Sequence, residues 1–196
     1  RIQQVSGNNQ SGPIGTILGA PVVVALADAL GNPVPNASVL FKVTQNDGLL
    51  LGLGSPAPTV VATSDAQGQV AVQWQLGHRA GAGGNGVEVY AVGYEGTALF
   101  TASGVQGAAG QIVVDTGGDQ VGAVGQPLAK PFIAVVIDEG NNRLGGVPVD
   151  FTVVDGGGSF DGQPSITVLS DSDGRVAATL TLGVAEGNAN NVVQAT

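Results

Sequence analysis

Apolar and polar residues alternate with a period of two through most of this chain. Val70, Val72, Trp74 and Leu76 fall on one side of a stretch whose other side carries Gln69, Ala71, Gln73 and Gln75. One apolar face and one polar face predict an antiparallel strand with one side buried and the other in water. The pattern returns with Val176, Ala178, Leu180 and Leu182 inward and Arg175, Thr179 and Thr181 outward. Val39, Phe41 and Val43 form another inner face, matched by Val149, Phe151 and Val153. Val87, Val89 and Ala91 are matched by Val193 and Ala195, and Ala98, Phe100 and Ala102 form a last inner face in the first half only. Residues 22–28 and 132–138 are apolar runs ending at an aspartate, 58–63 and 166–169 read as short edge strands, and 2–5 and 112–114 as opening strands. No segment predicts a helix.

These matched faces belong to a duplication. Ser-Asp-x-x-Gly-x-Val occurs as Ser64, Asp65, Gly68, Val70 and as Ser170, Asp171, Gly174, Val176, an offset of 106. Asp28 lies over Asp138, Asn32 over Asn142 and Phe41 over Phe151, an offset of 110, so the first copy carries four extra residues between Val43 and Ser64. A period near one hundred residues is the size of a domain, too long for a solenoid unit. The expected organisation is a domain at 1–104, a short linker at 105–110 and a second domain at 111–196. Roughly seven strands per copy, separated by turns, give the fold class: all-β, two tandem immunoglobulin-like β-sandwiches. The first copy continues past Tyr90 into 97–103, whereas the second stops at Thr196, where that segment would begin. The second sandwich is therefore expected to lack its last strand, either because the chain is a piece of a longer polypeptide or because a neighbouring chain supplies that strand.

Turn chemistry fits the strand map. Asp65-Ala66-Gln67-Gly68 and Asp171-Ser172-Asp173-Gly174 suit tight turns in which the aspartate accepts from amides further along and glycine adopts positive φ. The 33 glycines and 10 prolines punctuate short strands, and a core of valine and alanine with few aromatics suits sheets. The formal charge is −9, with ten of the fifteen acids after Ser103 and no basic cluster, which excludes nucleic acid as an expected partner. With no cysteine there is neither a disulfide nor a thiolate site. No run reaches the ~18 apolar residues of a membrane span, so no membrane contact is expected within these residues.

The ordered set of motifs resembles a known family. Each copy opens with an apolar strand followed by a polar, glycine-containing segment (6–12 and 116–122), then Gly-x-x-Leu at Gly15 to Leu18 and Gly125 to Leu128. A strand ending in aspartate follows, then Asn-Pro-Val-Pro from Asn32 in the first copy, Val-x-Phe-x-Val, the Asp-x-x-Gly turn, Leu-Gly, and Asn-x-Val at Asn85 and Asn191. This resembles the bacterial immunoglobulin-like domains, group one, of intimin- and invasin-type surface proteins. The resemblance implies rigid spacers in long extracellular, surface-anchored chains, whose partners are neighbouring repeats of the same or identical chains. It implies localisation at the bacterial cell surface.

Candidate chemistry is sparse. His78, the only histidine, sits beside Arg79 in a Gly-rich loop, and Val184 takes its place in the second copy, so a solvated loop residue is expected and not a general base. No catalytic, cofactor-binding or metal site is assigned and no enzyme activity is expected. Asp171 and Asp173 have the spacing of the start of a calcium loop, but no closing glutamate follows, and the first copy reads Asp65 and Gln67. The turn is therefore read as structural, with calcium as the alternative. Tyr90, beside Glu88, and Tyr94, at a turn tip, are read as exposed aromatics, and Trp74 as core. Three functions follow from this reading: a structural spacer of a stalk, adhesin or filament; a module that binds a surface protein or glycan; or a subunit that polymerises by strand donation into the second domain.

Overall fold

The computed structural model describes all residues, Arg1–Thr196, and contains strands and no helix. The chain divides into two compact units, Arg1–Gly107 and Ala108–Thr196.

In the first unit, β1 (Ile2–Ser6), β3 (Val22–Leu26), β7 (Gln69–Gln75) and β5 (Leu49–Leu51) form one sheet in the order β1-β3-β7-β5. The second sheet is β2-β9-β8-β4-β6, built from β2 (Gln10–Pro13), β9 (Ala98–Val105), β8 (Gly81–Tyr90), β4 (Ser38–Gln45) and β6 (Thr59–Thr63). Val22, Val24, Val72 and Trp74 from the first sheet meet Val39, Phe41, Val87, Val89 and Phe100 from the second, all fully buried. All pairings are antiparallel except one: β2 runs parallel to β9, with Gln10 opposite Ala102 and Pro13 opposite Val105.

The second unit keeps the plan with fewer strands. One sheet is β10 (Gln111–Thr116), β11 (Phe132–Ile137) and β14 (Arg175–Ala178); the other is β13 (Ser165–Leu169), β12 (Pro148–Asp155) and β15 (Val192–Ala195). Phe151 packs against Phe160 at 6.1 Å between tilted rings, next to Leu180 and Val149. Strand β15 pairs with β12 alone, so its other edge is open. The chain is thus all-β, two immunoglobulin-like sandwiches in tandem, the second without a counterpart of β9.

The inward sets expected from alternation are buried where both neighbouring strands are present: Val70, Val72, Trp74, Leu76, Val87, Val89, Ala98, Phe100 and Ala102. Around β15 they are only half-buried, as with Val193, Ala195 and Leu182, because nothing covers that edge. Two strands differ from expectation. β2 has too short and irregular a pattern to read as a strand, and β5 lies in a leucine-rich stretch with no alternation; each exists through its pairing, with β9 and β7 respectively. β14 ends at Ala178, and Thr181 beyond it bridges to Pro127 and Ser159. The four extra residues of the first copy lie in one loop. Leu50 bridges to Ala57, whereas its counterpart Phe160 bridges to Gln163.

Candidate functional site

The repeated polar residues are engaged by their own turns. Asp65 Oδ1 accepts the amides of Gln67 at 2.9 Å and Gln69 at 2.8 Å; Asp171 Oδ1 accepts those of Asp173 and Arg175, both at 2.9 Å. This is the Asx turn that carries the chain across the sandwich, from β6 to β7 in the opposite sheet and from β13 to β14 likewise. Asp173, read as the second oxygen of a calcium loop, is exposed at the turn tip, and nowhere in the chain do three acidic or histidine side chains gather as a metal would need. Asp28 and Asp138 do the same work after β3 and β11. Asp28 accepts the Leu30 and Asn32 amides and the Asn32 side chain, and the Asn32 side-chain bond leads the causes that hold its carboxyl below the usual aspartate range.

Two further motifs acquire a reason. The Ser64 hydroxyl donates to the Val34 carbonyl at 2.8 Å and accepts the Ala37 amide at 2.9 Å; Ser170 treats Leu144 and Val147 alike at 2.6 and 2.9 Å. Asn85 Oδ1 accepts the Gly77 amide at 2.9 Å and Asn191 Oδ1 accepts that of Gly183 at 3.1 Å, which is why Leu-Gly and Asn-x-Val travel together. Gln10 and Gln120 were not singled out by sequence reasoning. The Gln10 side chain donates to the carbonyls of Gly7 and Ala20 and accepts the Ala20 amide; Gln120 does this with Gly117 and Lys130. The only signal was the recurrence of glutamine three residues after a glycine in both copies.

His78 has a partner that the sequence did not reveal. Its Nδ1 lies 2.8 Å from Asp47 Oδ2, and its amide donates to Asp47 Oδ1 at 2.7 Å. That amide is the main cause of a lowered Asp47 pKa, followed by the ring. Both side chains are exposed, and the positions over them are Gly157 and Val184, so the pair pins a loop of the first sandwich. A histidine–carboxylate pair is half of a general-base arrangement, but a base acts on a substrate held in a cleft, and this pair lies on an open loop.

Tyr94 is half-buried and packs against the first core, unlike the exposed tip residue expected. Tyr90 stands on the outer face of β8. It lies opposite Leu40, which lies opposite Val61, so an apolar row crosses three strands in water. In the second unit the corresponding row is Thr196, Asp150 and Thr167.

No family profile and no curated protein sequence matches this chain. Among solved structures it is similar to invasin, a bacterial integrin-binding protein, with 17% identity and a TM-score of 0.44 over 100% of this chain and 36% of that one. It is similar to domains 4–9 of the surface layer protein SbsC, with 16% identity and a TM-score of 0.36 over 100% of this chain and 30% of that one. A third similarity, to E. coli alpha-2-macroglobulin, has 14% identity and a TM-score of 0.38 over 99% of this chain and 13% of that one. The chain spans about a third or less of each of these proteins. The fold assignment rests on strand order and register within the chain itself.

The remaining features are the two ends of the β2–β9 register and the open edge of β15. At the first, the Asn9 amide reaches the Thr101 carbonyl at 2.9 Å and the Ile14 amide reaches the Val105 carbonyl at 3.0 Å. Asn8 Oδ1 accepts the Thr101 amide and Asn9 Oδ1 the Thr101 hydroxyl, both at 2.9 Å. Along the second runs a groove of about 680 Å³, with residues 118–124 on one side and 185–193 on the other.

Proposed function

We propose that this chain is a pair of non-enzymatic spacer modules from a bacterial stalk, adhesin or surface filament outside the cell, built to carry load along the polypeptide. The observation that supports this is the parallel pairing of β2 with β9 in the first sandwich. One strand lies near the start of the unit and the other near its end. Tension on the two ends therefore draws parallel neighbours in opposite directions along their shared ladder. The bonds from Asn9–Thr101 to Ile14–Val105 are then loaded together in shear, whereas an antiparallel hairpin pulled at its open end loses bonds one at a time. The Asn8 and Asn9 side-chain bonds to Thr101 add to the same clamp. The motif resemblance points the same way, and neighbouring immunoglobulin-like repeats are the partners it suggests.

A second reading, a module that holds a protein or glycan, is favoured by the Val61–Leu40–Tyr90 row, since the second unit places polar residues there. Binding to panels of glycans and matrix proteins separates the two. A spacer gives no saturable signal at micromolar concentration. Saturable micromolar binding that disappears in Tyr90→Ala overturns the spacer reading in favour of the binding face.

A further inference from the structure

We infer that the first sandwich pairs with the first sandwich of a second copy of this chain, β6 against β6, antiparallel and centred on Val61. The inference goes beyond the spacer reading and does not depend on it.

An uncovered strand edge offers main-chain donors and acceptors to any matching strand, and native proteins guard such edges with bulges, prolines, charges or short length. Three of the four sheet edges in the first unit are guarded. β1 shifts register against β3 between Gln4 and Ser6, β2 holds Gly12 and Pro13, and β5 is three residues long. β6 is the exception. Its sequence is Thr-Val-Val-Ala-Thr, without charge, proline or glycine, and it pairs with β4 without a register shift. On either side of it, Pro58 accepts the Val43 amide and the Ser64 amide donates to Ala37, both toward the β4 side. In an antiparallel ladder every second residue bonds to the same neighbour. Thr59, Val61 and Thr63 therefore direct their main-chain groups to the open edge.

A second copy is the occupant because this edge matches itself. Turned about Val61, the strand sets Val61 opposite Val61, Thr59 opposite Thr63 and Val60 opposite Ala62. Threonine against threonine and β-branched against β-branched are favourable cross-strand pairs, and no charge meets another. The outer-face row Val61–Leu40–Tyr90 then runs on into the same row of the partner, so the apolar stripe in water becomes continuous. About six ladder bonds join the two strands. An edge of five residues covers much less than the ~1,200 Å² of a stable interface, so the pair is weak and reversible.

The corresponding edge of the second sandwich does not match itself. Turned about Thr167, β13 sets Ser165 opposite Leu169. The residue beside Thr167 is Asp150, where the first sandwich has Leu40, and the Thr167 hydroxyl is tied to its carboxylate. Two such edges would bring carboxylates into one row. Charge agrees: ten of the fifteen acids but only three of the six bases lie after Ser103, so the first sandwich is the less repelled of the two.

The test uses the full chain, which has no cysteine, so an introduced thiol is unique. In this register Val61 faces its own copy with Cα atoms about 5.5 Å apart, within the roughly 4.4–6.8 Å that a disulfide spans. Thr59 faces Thr63 and lies about 14 Å from the other Thr59. Under mild oxidation Val61→Cys is expected to link to itself. Thr59→Cys alone is expected to stay unlinked, and a mixture of Thr59→Cys and Thr63→Cys to link to each other. Sedimentation equilibrium of the parent chain from about 10 μM to 1 mM is expected to show a reversible monomer–dimer equilibrium. Val61→Lys is expected to weaken it by at least about tenfold, because two like charges meet on the two-fold axis. Val61 is 59% exposed, and Trp74 fluorescence in urea checks that this variant stays folded; the cysteine pattern decides independently of it. A monomer at every concentration, a dimer equally strong in Val61→Lys, or Thr59→Cys linking to itself overturns the inference.

Discussion

The Ser64 hydroxyl and the Val34 carbonyl are joined by a 2.8 Å hydrogen bond across thirty residues of sequence, and Ser170 repeats it with Leu144. The serine ends the strand before the Asp-x-x-Gly turn, and its hydroxyl ties down the segment that leads into β4 or β12. It also accepts an amide from that segment, so two part-buried main-chain groups depend on one side chain. Ser64→Ala leaves them unpaired and is expected to destabilise the first sandwich by about 1–3 kcal/mol. Urea denaturation followed by Trp74 fluorescence reads the first unit alone, because Trp74 is the only tryptophan.

Gly7 follows β1 directly, just past the register shift between Gln4 and Ser6 where β1 pairs with β3. Its φ is +93, and a Cβ there would lie 2.2 Å from the Pro21 carbonyl oxygen. Gly117 has the same conformation and the same clash with Pro131. Gly7→Ala is expected to destabilise by more than about 1 kcal/mol, since neither the backbone nor the neighbour accommodates the methyl group. Gly19→Ala, with open space around it, is expected to stay within about 0.5 kcal/mol. Urea midpoints for the two variants make the comparison.

Acid sensitivity of the first sandwich follows from Asp47. Its pKa is lowered, chiefly by the His78 amide and then by the His78 ring. A carboxyl depressed in the folded state adds stability above its unfolded value, near 3.9, and loses it as the pH falls through the lowered folded value. The stability difference between the parent and Asp47→Asn is therefore expected to be full at neutral pH and to shrink below about pH 4. His78→Ala, which keeps the amide, should retain most of the difference. Urea midpoints measured from pH 7 down to pH 2 check both variants.

Calcium is expected to have no effect. Asp171 spends one oxygen on two turn amides, and no third acidic group joins Asp173. The melting temperature at millimolar calcium should equal that in chelator. A rise at saturating calcium would reveal a binding site through mass action.

Much of this fold was legible because valine alternation and turn chemistry are local and occur twice. Val70, Val72, Trp74 and Leu76 could be placed in the core from spacing alone. β2 could not be placed, because its four residues carry a glycine and a proline and become a strand only by lying beside β9. His78 and Asp47 are separated by 31 positions with no periodic relation, so nothing in the sequence linked them. Trp74 was placed correctly, but its buried Nε1 has no hydrogen-bond partner. Its counterpart is Leu180, a position in this layer that an apolar side chain fills without needing an acceptor. The clamp that Gln10 and Gln120 make on the segments after β1 and β10 required coordinates.

Stretching the first sandwich in two directions tests the load-bearing claim most directly. Handles at the two ends of Arg1–Gly107 load β2 against β9 in shear; handles at residue 107 and at an Ala82→Cys thiol peel β9 from β8. With no native cysteine, that thiol is unique. End-to-end loading is expected to give a single abrupt rupture at clearly higher force than peeling, releasing most of the roughly 350 Å that the unit spans when extended at about 3.3 Å per residue. Equal forces in the two directions, or gradual end-to-end lengthening with no rupture, would contradict it.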